Sequence, residues 1–597
     1  MFVLLAFSAL LSAQGMGNSP QVVINDPYLV ATDALGRSLP GFEQTGPPKP
    51  DRWVGLFYWQ WHGDDRFMKD YNMTDFLQTH PRFMDFDAYP PGGPNNPTWY
   101  WGQPIFGYYR STDPWVIRRQ LALISHAGVD FLFLDYTNGS VYDAELQSLL
   151  QVAQEMKKMG ATIPKLVFFL NSEPDWKAEW LYTKWYKPGH YDDMWFRWEG
   201  KPLIMSPEPT DAKMLKDPAL LGEIQSHFTW RPTWALFGSN ETPTRWRFMD
   251  TLQPDGRPRA ALGPDGKREQ IVVNKSMGGP LFGDMQSGGV STYPGHVPTY
   301  NDQWLSGEQA KGLFFQHSWG AAQGYPAPML LVTGWNEWKA SVWESPGVVM
   351  LGRTTVKGQG HIVDEFNMDF NRDIEPMKGG YGDDYYCQLL ANMRLYKGML
   401  RPQTASAPKK IRLNGPASQW DNVRPVFLDH NNSTAHRDWP GTIPGSHYSD
   451  SSARNDIILS QVARDARDIY FHVRTSGPLT QPKGPNWMLL FLSSGKRPNW
   501  NGYDFLINRN RVARWCSIER CLGGWNWKTI GRAEFRISGR DLYISVDRRE
   551  LGLQKEPVSL DFKWADDQPE IPDLMDFYTK GTVAPDGRLN YRYTAHP

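Results

Sequence analysis

The 597-residue chain predicts an α/β protein, a (β/α)8 TIM-type barrel followed by an all-β sandwich. Three observations predict it. From Trp53 to about Lys397 short apolar runs alternate with helical patterns, which is how parallel β/α construction reads. After a stretch containing Pro, Ala and Ser the helical periodicity stops, and short alternating strands separated by turn residues take over. The length also exceeds what one hydrophobic core commonly serves.

In chain order, Met1 to Ala13 is uncharged, apolar and ends in small residues, so it reads as a signal peptide over 1–13, although it lacks the usual basic start. No later apolar run approaches the ~20 residues that span a bilayer. No Cys follows the apolar stretch to carry a lipid, and the expected location is secreted or periplasmic. The barrel is expected over 45–400. Its legible strands are Trp53 to Tyr58, Val129 to Leu134, Lys165 to Leu170, Pro202 to Met205, Gln270 to Val273 and Met329 to Val332. Asp113-Pro114 opens a helix that carries Val116, Ile117, Leu121 and Ile124 on one side and stops at Gly128. Two further helices are expected near Ala144 to Met159 and Asp384 to Tyr396. An open doubly wound sheet is the alternative, but no Gly-rich nucleotide loop follows the first strand. Residues 401–410 read as a linker. The sandwich is expected over 411–597, on strands such as Asp468 to Val473, Met488 to Leu492 and Asp541 to Val546.

Composition narrows the function classes. With 63 Lys+Arg against 64 Asp+Glu, the chain has no net field to attract nucleic acid or an anionic membrane. Aromatic residues make up 14% of it, including 27 Trp, at a mean hydropathy of -0.54. Sugar rings lay their C–H faces against flat aromatic faces, so a carbohydrate ligand is one explanation, and large aromatic cores are the other. Of the three cysteines, Cys516 and Cys521 are close enough in sequence to close a short loop. Neither Cys-x-x-Cys spacing nor a Cys/His cluster suggests a metal.

In a (β/α)-barrel the active site lies at the C-terminal ends of the strands, so polar residues directly after apolar runs are the candidates. Met329 to Thr333 runs through Gly334 into Trp335-Asn336-Glu337-Trp338. Glycosidic cleavage needs a carboxylic acid and an opposing carboxylate, and flanking indoles can raise a carboxyl pKa or stack a sugar, so Glu337 is the first catalytic candidate. Asp135, closing Phe131 to Leu134 and followed by Tyr136 and Asn138, is the second. The third is Glu173 in Asn171-Ser172-Glu173-Pro174-Asp175. There Ser172 and Asp175 also fit a helix capping box. Tyr58, Trp59, Trp61 and His62, ending the first strand, are expected to line a sugar subsite with Tyr136, Asn138, Asn171, Trp335, Asn336 and Trp338.

The segment Trp335-Asn336-Glu337-Trp338, with Gln316 to Ser318 before it and Gly200-Lys201-Pro202-Leu203 in a Trp-rich strand entry, resembles the glycoside hydrolase family 71/99-like group. That group contains endo-α-mannosidases and WbsX-like proteins. The resemblance implies a (β/α)8 barrel, an α-linked glycan substrate and no metal or organic cofactor. One departure matters: where the endo-α-mannosidases carry a second Glu three residues on, this chain has Ala340, and Glu344 lies further along. The resemblance therefore leaves the partner carboxylate to Asp135 or Glu173. The C-terminal region, through Ala466 to Val473 and loops bearing Trp487, Trp500, Trp515, Trp525 and Trp527, resembles a family 9 carbohydrate-binding module or the related DOMON-like sandwiches, and its tryptophans are expected either to bind sugar or to pack the interface with the barrel. The expected function is a secreted glycoside hydrolase working by paired carboxylates. The alternative is a non-catalytic glycan-binding protein whose barrel keeps only a sugar groove. A transferase would need a sugar-donor site, and no nucleotide signature is visible.

Overall fold

The apolar runs fold into one curved sheet. The structure is a computed structural model describing residues 23, 25–63, 70–72, 98–234, 242–250, 252–276, 308–340, 342–343, 347, 349–350, 353–354, 361–362, 365, 370–429 and 435–596. The expected signal peptide, 1–13, and Glu344 lie outside the described residues.

Strands β1 (Trp53–Tyr58), β2 (Phe131–Tyr136), β3 (Lys165–Leu170), β4 (Lys201–Met205), β5 (Thr229–Trp230), β7 (Arg268–Asn274) and β8 (Met329–Thr333) are parallel, in the order β7-β8-β1-β2-β3-β4-β5. They are buried on both faces, as apolar parallel strands must be. The short β6 (Trp246–Arg247) lies beside β7 without backbone pairing to it. Instead Gln270 of β7 accepts from Arg247 N–H at 2.7 Å and donates to Arg247 C=O at 2.8 Å. The expected eight-stranded barrel is thus a curled mixed sheet whose seam is held by a side-chain amide, not a continuous backbone ladder. The curl has a filled centre: Phe248, just after β6, stands 4.9–5.0 Å from Phe169 and Phe57 and 6.2 Å from Phe133.

Helices α1 (Pro114–Ala127), α2 (Asp143–Lys158), α3 (Pro174–Leu181), α4 (Leu313–Gly324) and α5 (Asp384–Lys397) connect or flank these strands. Asp113 caps α1 by accepting from Trp115 and Val116 N–H, and Gly128 ends it in the left-handed region at φ 75°. The capping box expected at Ser172 does not form. Pro174 occupies the first helical position, so Glu173 becomes the cap residue, at φ 48° and with no side-chain cap bond.

Residues 401–410 have no regular secondary structure. Beyond them strands β9 (Val426–Leu428), β10 (Ile457–Arg464), β11 (Asp468–Thr475), β12 (Leu489–Ser493), β13 (Phe505–Val512), β14 (Trp515–Gly523), β15 (Asn526–Ser538), β16 (Asp541–Asp547), β17 (Val558–Asp566) and β18 (Asn590–Ala595) form a large antiparallel sheet. Its path ends on Leu29–Val30, which pairs with β18, so an N-terminal segment completes the C-terminal sheet. The sheet rolls until its ends meet, with Phe427 of β9 5.0 Å from both Phe562 of β17 and Tyr591 of β18. Cys516 and Cys521 are free and buried. Five residues apart on the extended β14, they are roughly 16 Å apart, beyond disulfide reach.

Candidate functional site

The segment after β8 is held in place by a second segment, 370–376. Gly334 sits at φ +104°, and a Cβ there would lie 2.0 Å from the Arg372 carbonyl, so only glycine permits the close approach. Trp335 N–H then donates to Phe57 C=O at 3.0 Å, and Trp335 C=O accepts from Ile374 and Glu375 N–H. The Asp373 carboxylate accepts from Glu337 N–H, from Trp338 N–H at 2.9 Å and from the Trp101 indole at 2.7 Å. Trp338, at φ 48°, stacks on Trp101 with ring centroids 4.9 Å apart and donates to Glu375 at 2.5 Å.

Glu337 is 4% exposed. Its carboxylate pairs with the Arg372 guanidinium, which also lies 3.6 Å from Glu365. Burial raises the Glu337 pKa; Arg372 opposes the rise, while Asp373 and Asp135 add to it. Asp373 is pushed up to about 6 by burial despite its donors and the nearby Lys275, and burial lifts Glu365 well above the carboxylate range. The Lys275 ammonium donates to Asn371 Oδ1 and the Asp373 carbonyl, and stands 3.9 Å from the ring centroids of Tyr381 and Tyr385.

Asn336 is equally constrained. Its Oδ1 accepts from Trp59 N–H at 2.9 Å, and its Nδ2 donates to Trp59 C=O and to the Tyr109 hydroxyl. His62 Nε2 lies 2.7 Å from the Asn336 carbonyl and so donates to it, the tautomer following from the acceptor. Burial holds this imidazole well below its ordinary pKa. Behind them Glu375 accepts from Gln120 at 2.7 Å and Tyr109 at 2.8 Å, and Tyr58 donates to Gln120 at 2.5 Å. Burial pushes Glu375 up to about 8, with those donors partly offsetting it.

Asp135 ends β2 and is 4% exposed. It accepts from the Trp61 indole at 3.2 Å, from Thr137 N–H at 3.0 Å and from the Thr137 hydroxyl at 2.7 Å, the acceptor-only pattern of a carboxylate. The fully buried Lys177 donates to the Tyr136 and Asn138 carbonyls beside it. Burial lowers that ammonium to about 8, against the pull of Asp135 and Glu173.

The candidates therefore separate. Tyr58, Trp59, Trp61, His62, Tyr136, Trp335, Asn336 and Trp338 are buried around the strand ends with Glu337 and Asp135, whereas Asn138, Asn171 and Glu173 are exposed. Glu173 accepts only a 3.3 Å bond from Trp176 among the bonds seen for its carboxylate. Sequence reasoning missed Glu365, Arg372, Asp373, Glu375 and Lys275. The one available signal was the acidic run Asn371-Arg372-Asp373-Ile374-Glu375-Pro376 before the last helix of this half. A cleft of about 810 Å³ lies elsewhere, between the two sheets, against Trp115, Asp384, Arg437, Tyr448 and Arg588; neither Glu337 nor Asp135 lines it. Among the described residues no group of His, Cys, Asp and Glu is arranged to hold a metal.

No protein-family model matches this chain, and no curated protein matches it. Among solved structures, a GH99 endo-α-mannosidase from Bacteroides thetaiotaomicron is similar at 16% identity, covering 57% of this chain and 96% of that one, with a TM-score of 0.32. A second structure of a GH99 endo-α-mannosidase from that genus, in complex with bis-tris-propane, is similar at the same identity and coverage, with a TM-score of 0.31.

Proposed function

We propose that this chain is an exported glycoside hydrolase that cleaves glycosidic bonds of an oligo- or polysaccharide, with Glu337 as proton donor and Asp135 as the opposing carboxylate. One observation carries the reading: two buried carboxyls stand at the C-terminal ends of strands β8 and β2, within electrostatic reach of each other. Their environments push them toward different roles. Burial raises the Glu337 pKa against the pull of Arg372, the direction a proton donor requires. Asp135 accepts from the Trp61 indole and from the N–H and hydroxyl of Thr137, which orients its carboxyl at the strand end. That division is the one glycoside hydrolysis uses: the acid protonates the leaving oxygen while the carboxylate attacks the anomeric carbon or activates a water. Trp61, stacked near Tyr142, supplies an apolar wall next to Asp135. Glu173, on the exposed side of Lys177, is left with substrate contact rather than chemistry. An α-linked glycan is the substrate class implied by the resemblance of Trp335-Asn336-Glu337-Trp338.

A polysaccharide digestion screen with product analysis tests the reading. Glu337→Gln is expected to lower sugar release by about 10²–10⁴-fold in protein that still unfolds in one cooperative transition, at a lower melting temperature because the buried Arg372 loses the charge of its partner. Turnover equal to the wild type in that variant removes the proposal. The ion pair of Glu337 with Arg372 favours a second reading, a silent glycan-binding protein in which Glu337 is structural. Wild-type protein that retains glycans without ever releasing product selects it.

A further inference from the structure

The antiparallel sheet carries a strongly basic arm. Residues 505–540, covering β13 to β15, contain eight Lys or Arg and two Glu, in a chain whose totals are 63 basic and 64 acidic. Both acids are already used: Glu519 pairs with Arg509, and Glu534 lies 3.7 Å from Arg514. Arg520, Lys528, Arg532, Arg536 and Arg540 are exposed and, among the described residues, none has a carboxylate within ion-pair distance. Arg520 is paired directly across from Lys528, an arrangement of like charges that costs stability unless an anion lies between them.

Four of the five tryptophans expected to bind sugar here are used in packing. Trp487 is fully buried, and Trp500, Trp525 and Trp527 pack on one another beside Phe491 and Phe577. Trp515 differs. It is half-buried, pairs with Glu534 of β15 and with the exposed Val512 of β13, and so stands on the same face as both. Alternation places Arg532 and Arg536 on that face too, one to each side of Glu534 and roughly 13 Å apart along the strand. The Arg532 guanidinium lies 4.7 Å from the Trp515 ring centroid and Arg514 lies 5.2 Å from it. Stacking on an indole pre-orients a guanidinium fork while leaving its N–H groups to solvent.

We propose that this face, built on Trp515, Val512, Arg532 and Arg536, is a binding site for an acidic polysaccharide. The arginine forks take the sugar carboxylates, and the ring C–H surfaces lie along Trp515 and Val512. Charge complementarity selects an anionic chain over a neutral one. The half-buried Glu534 carboxylate on the same face disfavours a densely charged phosphodiester backbone. The glycan class rests on the function proposed above; the anionic character rests on the arm alone.

Native gel electrophoresis of the full chain through polygalacturonate, dextran or double-stranded DNA tests it. Retardation is expected in polygalacturonate and not in dextran, and it weakens as salt is raised. Arg532→Ala with Arg536→Ala is expected to weaken retardation about tenfold with the melting temperature unchanged, since both arginines are exposed, and Trp515→Ala is separately expected to weaken retardation about tenfold. Glu337→Gln is expected to bind as the wild type does, which separates failure of this site from failure of the catalytic reading. Equal retardation by dextran, stronger retention by DNA, or no effect of these substitutions overturns the proposal.

Discussion

Glu375 shows how burial and hydrogen bonding compete at a single carboxyl. It accepts from Gln120, Tyr109 and Trp338, and each donor favours the ionised form. Complete burial outweighs them and pushes it up to about 8 from the usual 4.5. Between those two values the folded chain holds a proton that the unfolded chain has lost. Stability from this group is therefore fully present below about pH 4.5 and is lost as pH rises toward about 8. Glu375→Gln keeps the shape without the ionisation. Thermal melts at pH 5 and pH 8 are expected to differ less in the variant than in the wild type, by at least ~2 °C. Parallel pH dependence in both proteins would show that another group governs it. The same residue positions Trp338, so its ionisation is felt one residue from Glu337.

At the scale of elements, β6 joins β7 through side chains rather than a backbone ladder. Ordinary neighbours exchange backbone bonds, whereas this pair is joined by side chains: the buried amide of Gln270, and the Trp246 indole, which donates to Glu269 at 2.8 Å. Gln270→Ala leaves the Arg247 N–H and C=O buried and unpaired, and each costs about 1–3 kcal/mol. Denaturant unfolding is expected to show a loss of about 3 kcal/mol, and a loss under 1 kcal/mol would mean that backbone shifts or water restore the bonds. Short continuous apolar runs made most of these parallel strands legible: β1 and β3 have the bounds read from the letters, and β2 is shifted by two residues. β5 and β6, two residues each, were not legible. A two-residue strand has no period to detect, and its pairing is set by what lies beside it.

Across the whole molecule, the two sheets are tied by charged side chains that no local pattern announces. Arg437 pairs with Asp113, the cap of α1, at 2.7 Å, and lies 4.9 Å from the Trp115 ring centroid and 4.4 Å from that of Tyr448. Asp383, just before α5, accepts from Tyr578 and Arg588, each at 2.7 Å. Both partners of the Arg437 pair are more than nine-tenths buried. Arg437→Ala therefore leaves an uncompensated carboxylate in the interior, at a cost of about 3–5 kcal/mol. Calorimetry is expected to show a melting temperature lowered by several degrees, and restoring part of it with Asp113→Asn in the same chain would identify the stranded charge as the cause. An unchanged transition would assign the contact between the sheets to the apolar packing around it.

Periodicity and strand-end position, read from the letters alone, determined the alternation of strands and helices, the change to antiparallel strands after residue 410, and the placing of Glu337 and Asp135 where parallel strands end. These follow from local rules, because a strand or helix face is written in neighbouring residues. Only the tertiary structure decided what surrounds Glu337. Arg372, Asp373 and Glu375 lie 35 to 38 positions further on, in a segment with no regular period, and they act through contacts that Gly334 alone permits. Burial, which sets the proton affinity of each of these carboxyls, is a property of the assembled fold. The strand-end position of Glu337 was therefore legible in the sequence, while the proton-donor role proposed for it rests on the segment packed over it.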